Sequence, residues 1–565
     1  MDTPLHILIC GRGLAAVMTA AALAHNLPDA VNITLLDIEG TDKTDVFYGS
    51  AASPSAYDFM RSIGMEEPEL LLGSNTAFSF GTHYKQWGGN KRGPNEKQRS
   101  WMQSFHLPLP VFNGVDFHHY LVRRHQLENP AGVSKSGARG PSLEPYIMPV
   151  QAAYKGAFAH PPEGRKIPLA NAQYGYHVSP ASWTRCIAAR LPARINRLSG
   201  AIKTLIQSDG AIRAVDLGGE QQVSADLFID CTGPTAQLLV PLQSSAPDGD
   251  NHANGSVNGS ANGGVNPVEA RTLRAAQSWT PLPSHTEHKQ DTQNTPQNLR
   301  SSCRTLTGED FGWTAETPLQ NGVHRLALYH PNDEDAALKN LGALGALGGA
   351  GEPHSAPIEI KTGRRAAAWQ GNCVAIGQSA AAVEPLTPAP LMLLQGDIER
   401  LLELIPVSSD MQVERREYNR RFREDHIHAG LFQQAFFAAP QKTAPEKASP
   451  EKTTAPYWQA ARRAAADDQE LSDKLAAKIE QFESRGVFVT YDYEPFSPQD
   501  WAMLHFGLGH YPARYDPLAD RAPAAKINES LDRMEMAIAA MAEKMPPHAV
   551  YMSGLLRYLQ DKHGS

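Results

Sequence analysis

The sequence predicts an α/β fold with a helical C-terminal region, on three observations. A short apolar run at 5–9 leads into the glycine loop Cys10-Gly11-Arg12-Gly13-Leu14-Ala15-Ala16. An alanine-rich apolar stretch at 14–25 follows, and then a second apolar run at 31–36 that ends on Asp37. From residue 457 onward, apolar residues recur three and four apart. The first two observations describe a strand, a helix and a strand, which is a βαβ unit; the third describes amphipathic helices.

The first run has no basic residues ahead of it and flows straight into glycine. It therefore reads as a buried strand and not as a signal peptide. In the loop, Gly11 permits a tight turn and Gly13 lets the backbone approach a pyrophosphate. Leu14 and Ala15 open a helix whose N-terminus carries partial positive charge, and Ala16 is small enough for helix–sheet packing. Asp37, at the end of the second strand, can accept from ribose hydroxyls. NAD suits this fingerprint as well as FAD does, and a glycine turn without any cofactor is the plainer alternative.

Two later segments favour FAD. Residues 226–233 form a strand running into Asp230-Cys231-Thr232-Gly233, and residues 372–377 form a second one ending at Gly377. Gln378 and the small residues 379–382 then read as a helix start suited to close approach of a ribityl chain. Taken in order, these segments predict a Rossmann-like FAD-binding fold of the two-dinucleotide-binding flavoprotein type, with a mixed-sheet substrate region.

The expected organisation is a FAD-binding and substrate region over 1–435, a linker over 436–456 and a helical region over 457–565. Residues 245–267 are rich in Asn, Gly and Ser, so 245–300 reads as a flexible insertion. Residues 440–456 are rich in Pro, Lys and Glu. Helices are expected over 471–484 and 527–544, the second stopped by Pro546-Pro547.

Composition narrows the function. The 565 residues are 41% hydrophobic and 20% charged, which is ordinary for a soluble globular protein. A net charge of −8 disfavours nucleic acid as the main partner. No stretch of about 18 apolar residues predicts a membrane span. Five scattered cysteines, none at CxxC spacing, argue against a zinc site or a disulfide framework and fit a reducing cytoplasm. His118-His119, with His106 upstream, is read as non-metal, because neighbours on a helix point to different faces.

Several stretches, taken in sequence order, resemble the flavin-dependent tryptophan halogenase family. Residues 48–54, Tyr-Gly-Ser-Ala-Ala-Ser-Pro, resemble its Gly-Glu-Ala-Thr-Ile-Pro loop and bring Ala51 and Ser53 to the cofactor. Residues 77–81, Ala-Phe-Ser-Phe-Gly, on to Trp87, resemble its Thr-Phe-Lys-Leu-Gly strand. Tyr176-His177, Gly312-Trp313 through Pro318-Leu319, Tyr418-Asn419-Arg420 and 546–551 match in type and order. So does Val383-Glu384-Pro385-Leu386-Thr387-Pro388-Ala389-Pro390, with Pro385 near the flavin.

In that family, reduced FAD and oxygen give a flavin hydroperoxide, and halide attack on it yields an oxidant that reaches a lysine beside the substrate. The resemblance places that lysine on Ser79 and the assisting glutamate on Thr387. It places the halide-binding backbone on Pro388, Ala389 and Pro390, where two of three residues lack an N–H. The second tryptophan of the family's Trp-x-Trp motif becomes Ala315, and its isoleucine becomes Thr317.

A serine hydroxyl forms no chloramine and threonine accepts no proton as a carboxylate does. The resemblance therefore implies a FAD-dependent oxidoreductase using reduced flavin and O2 in a monooxygenase-like reaction on a small aromatic, indole-type molecule. Its pocket is expected around Ser79, Trp313 and Thr387, and reduced flavin is expected from a separate reductase. His83 shares strand parity with Ser79 and is a candidate base, although lone strand histidines are commonly structural. Trp313 reads as a pocket aromatic or, more readily, as plain core, because buried tryptophans are common. Glu384 is expected to shape the loop near the flavin. Two alternatives stand beside this reading: a genuine halogenase with a non-standard site, and a flavin-binding protein without turnover. The sequence leaves a homodimer open.

Overall fold

The computed structural model describes residues 5–88, 99–129, 140–165, 167–244, 271–281, 301–346, 356–438, 455–467 and 469–563. Its organising element is a six-stranded sheet. Strand β1 (His6–Cys10) pairs in parallel with β2 (Asn32–Asp37) on one side and with Leu227–Asp230 on the other. The latter pairs in parallel with Cys373–Ala375, so the chain returns to this sheet three times. Ile7 to Cys10 are fully buried, as a strand covered on both faces requires. Helix α1 (Leu14–Asn26) is buried from Leu14 to Ala24 and packs against the helices Pro180–Ala188 and Ala389–Glu403. Its near-continuous apolar sequence reflects this all-round burial.

A seven-stranded mixed sheet carries the strands Ile358–Lys361, Thr272–Pro281, Gly322–Tyr329, Gly312–Pro318, Arg304–Glu309, Gly81–Trp87 and Arg99–Ser104, in that spatial order. Residues 272–281 correct the expected flexible insertion over 245–300. Their side chains alternate between buried and partly buried, and they pair with strands on both sides, from Arg274 opposite Tyr329 to Pro281 opposite Gly322. The polar composition upstream concealed this strand. Residues 245–270 and 282–300 lie outside the described residues, as does 439–454 of the expected linker.

The second correction concerns residues 379–382. No helix starts there. Gly377–Ser379 is a single 3-10 turn, and Ala381–Ala382 is a short strand paired with Gly363–Arg364. The helix begins only at Ala389, after Pro385 and Pro388 have prevented an earlier start.

The C-terminal part consists of the helices Pro456–Asp467, Gln469–Arg485, Pro498–Leu508, Ala524–Lys544 and His548–His563, with a short 3-10 turn at Pro517–Arg521. The first three of these share the core of the mixed sheet, whereas Ala524–Lys544 and His548–His563 bury Leu531, Ile538, Met552 and Leu559 in the core of the six-stranded sheet. Tyr457, Trp458 and Trp501 pack in one cluster with Trp87, Leu306, Trp313 and Phe432. No helix among the described residues is long and apolar enough to cross a membrane.

Candidate functional site

At the C-terminal ends of β1 and β2 the sequence dictates a turn with no room for side chains. Gly11 adopts φ +145°, and a Cβ there would lie 2.3 Å from the Cys231 carbonyl oxygen. Gly13 caps α1 without a side-chain acceptor, which leaves the first N–H groups of the helix to find partners elsewhere. The Leu14 N–H finds one in Asp45, donating to Oδ2 at 2.7 Å.

Asp45 belongs to a segment that runs along the whole trough. At the outer end, the Arg12 N–H donates to Thr41 Oγ1 at 2.9 Å, and Arg12 Nε bonds Asp37 Oδ1 at 2.6 Å. In the middle, the Thr41 carbonyl and Thr44 hydroxyl pack on Gly233, itself at φ +76°. At the inner end, the Gln378 N–H donates to Tyr48 Oη at 3.2 Å, and Gln378 Nε2 donates to the Thr44 carbonyl at 3.0 Å. A Cβ on Gly377 would lie 2.3 Å from Tyr48 Oη. The space left beside Tyr48, Gly377, Leu394 and Asp397 is about 10 Å³, room for no more than about one water.

The structure thus brings Gly11, Gly13, Leu14, Asp37, Gly233, Gly377 and Gln378 to one trough. Ala15 and Ala16 are buried in α1. Ala51 is opposite His177 in a small antiparallel sheet, and Ser53 bonds the Ser55 hydroxyl at 2.7 Å. Pro385 packs on Gly49.

Burial pushes the Asp45 carboxyl up to about 7 despite the Leu14 N–H, which lowers it. Asp397 accepts from the Gly377 N–H at 3.3 Å and from Arg400 at 3.0 Å, and burial holds it at about 6 against the Arg400 charge. Asp230 ties the return strands together. It accepts from the Thr232, Leu238 and Leu239 N–H groups and from the Ser379 hydroxyl. Sequence reasoning missed Asp45 and Asp397. Neither sits at a motif spacing; each is recognisable only by what it touches.

The second half of the site is the turn 384–390. Arg304, 1% exposed, donates to the carbonyls of Pro385 at 3.2 Å and Leu386 at 2.7 Å, and to Thr82 Oγ1 at 3.3 Å. The Tyr84 hydroxyl also donates to the Leu386 carbonyl, at 2.8 Å. Thr387 Oγ1 accepts the Ala389 N–H at 3.2 Å. Pro388 and Pro390 have no N–H, so the one backbone donor of this triplet is already engaged. Sequence reasoning missed Arg304 too; its only trace was a lone arginine at the head of the strand Arg304–Glu309.

Ser79 is buried, and its hydroxyl bonds within its own turn, donating to the Gly81 carbonyl and accepting the Gly81 N–H, each at 3.2 Å. Gly81, at φ +139°, breaks the strand. Ser79 ends the three-residue strand Ala77–Ser79, whereas His83 belongs to Gly81–Trp87 in the other sheet. The expected parity of Ser79 with His83 therefore does not hold. Thr82 and Tyr84 face the 384–390 turn, and the intervening His83 faces away, bonding Ser100 Oγ at 2.9 Å. Burial lowers its pKa to about 4.

Trp313 is fully buried, and its indole N–H donates to Glu384 Oε1 at 2.6 Å. Glu384 also accepts from Arg271 at 2.5 Å and from the Tyr457 hydroxyl. It shapes the loop from the core side. The Ser50 and Thr317 hydroxyls bond each other at 2.6 Å, joining the 48–54 loop to the strand that carries Trp313.

His118 and His119 lie ring beside ring, 4.2 Å apart, and not on separate faces as expected. Each is spent on the backbone: His118 Nε2 bonds the Gly486 carbonyl, and His119 Nδ1 accepts the Asp516 N–H. Among the described residues no group of three or more His, Cys, Asp or Glu is placed to hold a metal ion. A wider cavity lies between these histidines, Phe488, Pro498 and Ala502, and none of Ser79, Trp313 or Thr387 lines it.

A glycine-turn trough on a parallel sheet, with a mixed sheet and a proline-rich turn beside it, defines an enzyme of the dinucleotide-binding flavoprotein class. The chain belongs to the tryptophan halogenase family, whose model matches residues 6–247 and 288–524. It is 23% identical to tryptophan 6-halogenase SttH from Streptomyces toxytricini, over 93% of each chain. It is also 23% identical to tryptophan 7-halogenase RebH from Lentzea aerocolonigenes, over 89% of this chain and 85% of that one. The solved structure of BrvH, a flavin-dependent halogenase from Brevundimonas sp. BAL3, superposes with a TM-score of 0.77 at 23% identity. That match covers 98% of this chain and all of BrvH. FAD is the cofactor of this family.

The donor set suits that cofactor. The Asp45 carboxyl comes from a distant part of the chain and is held by the Leu14 N–H where such folds seat a pyrophosphate. It acts as a stand-in for a phosphate oxygen.

Proposed function

We propose that the protein catalyses a halide-independent, monooxygenase-like oxidation of a small aromatic molecule of indole type, supplied with reduced flavin by a separate reductase. The observation that carries this reading is the 384–390 turn. Its one available N–H among residues 388–390 is committed to Thr387, and neither Ser79 nor Thr387 offers an amine or a carboxylate. Losing a catalytic donor typically costs about 2.7–4 kcal/mol of transition-state stabilisation. Three altered positions acting as a unit disfavour halogenation by the family's route.

Bound FAD, once reduced, supplies the electrons that activate oxygen. The chain's own residues do the rest. Leu14 and the N-terminus of α1 would hold the phosphates of the bound cofactor, and Asp37 its ribose. Arg304 holds the Pro385 and Leu386 carbonyls so that the turn keeps one shape beside the cofactor. Burial of Ser79, Thr387 and Trp313 excludes water.

The names of the relatives, all halogenases, favour the second reading of a genuine halogenase with a different halide seat. Incubation with a flavin reductase, NADH, oxygen and indole-type substrates, with and without chloride or bromide, tests both. Oxygenated product at equal rates in either condition supports the first. Halogenated product supports the second and removes the first.

A further inference from the structure

We propose that Asp45 is a built-in occupant of the phosphate subsite, and that residues 41–48 compete with the FAD pyrophosphate for the N-terminus of α1. This rests on the FAD reading above. Four contacts carry it, and they follow the trough in order: Thr41 on Arg12, Asp45 on Leu14, Thr44 on the Gln378 side chain and Tyr48 on the Gln378 N–H. Each uses a backbone N–H or polar group that a dinucleotide would need. The contact at α1 is not an ordinary helix cap. The capping position is Gly13, and the acceptor comes from 31 residues beyond Leu14. Its oxygens fill the space that the missing Gly13 side chain opens, since a Cβ there would lie 2.5 Å from Oδ2. The second glycine cradle, at Gly377, is filled by Tyr48 in the same way. Both ends of the site are thus closed by one segment.

The charge is as telling as the position. Asp42 faces Asp45 from its own segment, as do Tyr48 from the same turn and Cys231 from the sheet. The helix Ala389–Glu403 contributes Asp397, which acts on Tyr48 and Cys231 as Asp45 does and is paired with Arg400. Among the described residues no cation pairs with Asp45. An ionised Asp45 therefore meets an incoming pyrophosphate as a like charge, and a protonated one does not. With its carboxyl held at about 7, FAD affinity should fall as pH rises through neutrality.

The test is a titration of the full-length apo-protein with FAD, followed by flavin fluorescence, for the natural chain and for Asp45→Asn, between about pH 6 and 8.5. Thermal unfolding of both apo-proteins controls for folding. Near the alkaline end, Asp45→Asn should bind FAD about tenfold more tightly, the scale of one relieved like-charge contact. Its affinity should not vary with pH, whereas that of the natural chain should. If the variant unfolds, the slope of the natural chain alone decides, and a flat profile overturns the proposal. Equal affinity and equal slope in both proteins overturn it while leaving the FAD reading intact. No binding by either protein at any pH overturns the FAD reading and the proposal together.

Discussion

The indole N–H of Trp313 donates to Glu384 at 2.6 Å, and the same carboxylate accepts from Arg271 and Tyr457. One side chain, 3% exposed, thereby links the mixed sheet, the turn beside the cofactor trough and the first C-terminal helix.

Glu384→Ala removes three buried hydrogen bonds at once, the one from Arg271 being also an ion pair. Breaking a buried pair costs about 3–5 kcal/mol. Urea unfolding should show a loss of that order. Glu384→Gln, which keeps an acceptor but no charge, should fall between the two.

Arg304→Met leaves the Pro385 carbonyl without its donor and takes one of two from Leu386. A buried acceptor left unmade costs about 1–3 kcal/mol. The melting temperature should drop accordingly, with partial recovery in Arg304→Lys. A variant as stable as the natural chain would show that the turn holds itself.

Ser79→Lys supplies an amine but not a halide seat, because Pro388 and Pro390 stay without N–H and Thr387 still engages Ala389. Mass spectrometry of its products in chloride or bromide should show no halogenated species.

Acid should unfold the protein through its buried histidines. Burial lowers His177 and His426 to about 3, whereas each titrates near 6.5 in the unfolded chain. The unfolded state then binds more protons below about pH 6.5, so stability is full above that pH. Each group should remove about 1.4 kcal/mol per unit as pH falls toward 3. Asp397, raised to about 6, works the other way: its contribution falls as pH rises from about 4 to 6. His177→Gln should reduce the proton uptake on unfolding at about pH 5 by one, measured from the pH dependence of urea unfolding.

The cofactor frame was legible because it is written in local terms. Strand β1, the turn through Gly13, helix α1 and Asp37 follow one another within 37 residues, and burial and glycine geometry leave few options. Expected and observed bounds of these elements differ by one or two residues. The strand Thr272–Pro281 was not legible, because its pairing partners are distant and its flanks are polar. The parity of Ser79 with His83 failed on one glycine, Gly81, whose backbone redirects the chain between sheets. Arg304, Asp45 and Asp397 were invisible for a common reason: each is defined by a partner between 20 and 82 residues away, and no spacing rule reports such a pair.

All five cysteines are buried and free, and three of them, Cys10, Cys231 and Cys373, belong to the strands or strand ends at the centre of the parallel sheet. A maleimide cannot reach these sulfurs while the strands stay together. The rate at which label accumulates on them is therefore a clock for breathing of the domain centre, and a ligand that tightens the trough should slow it.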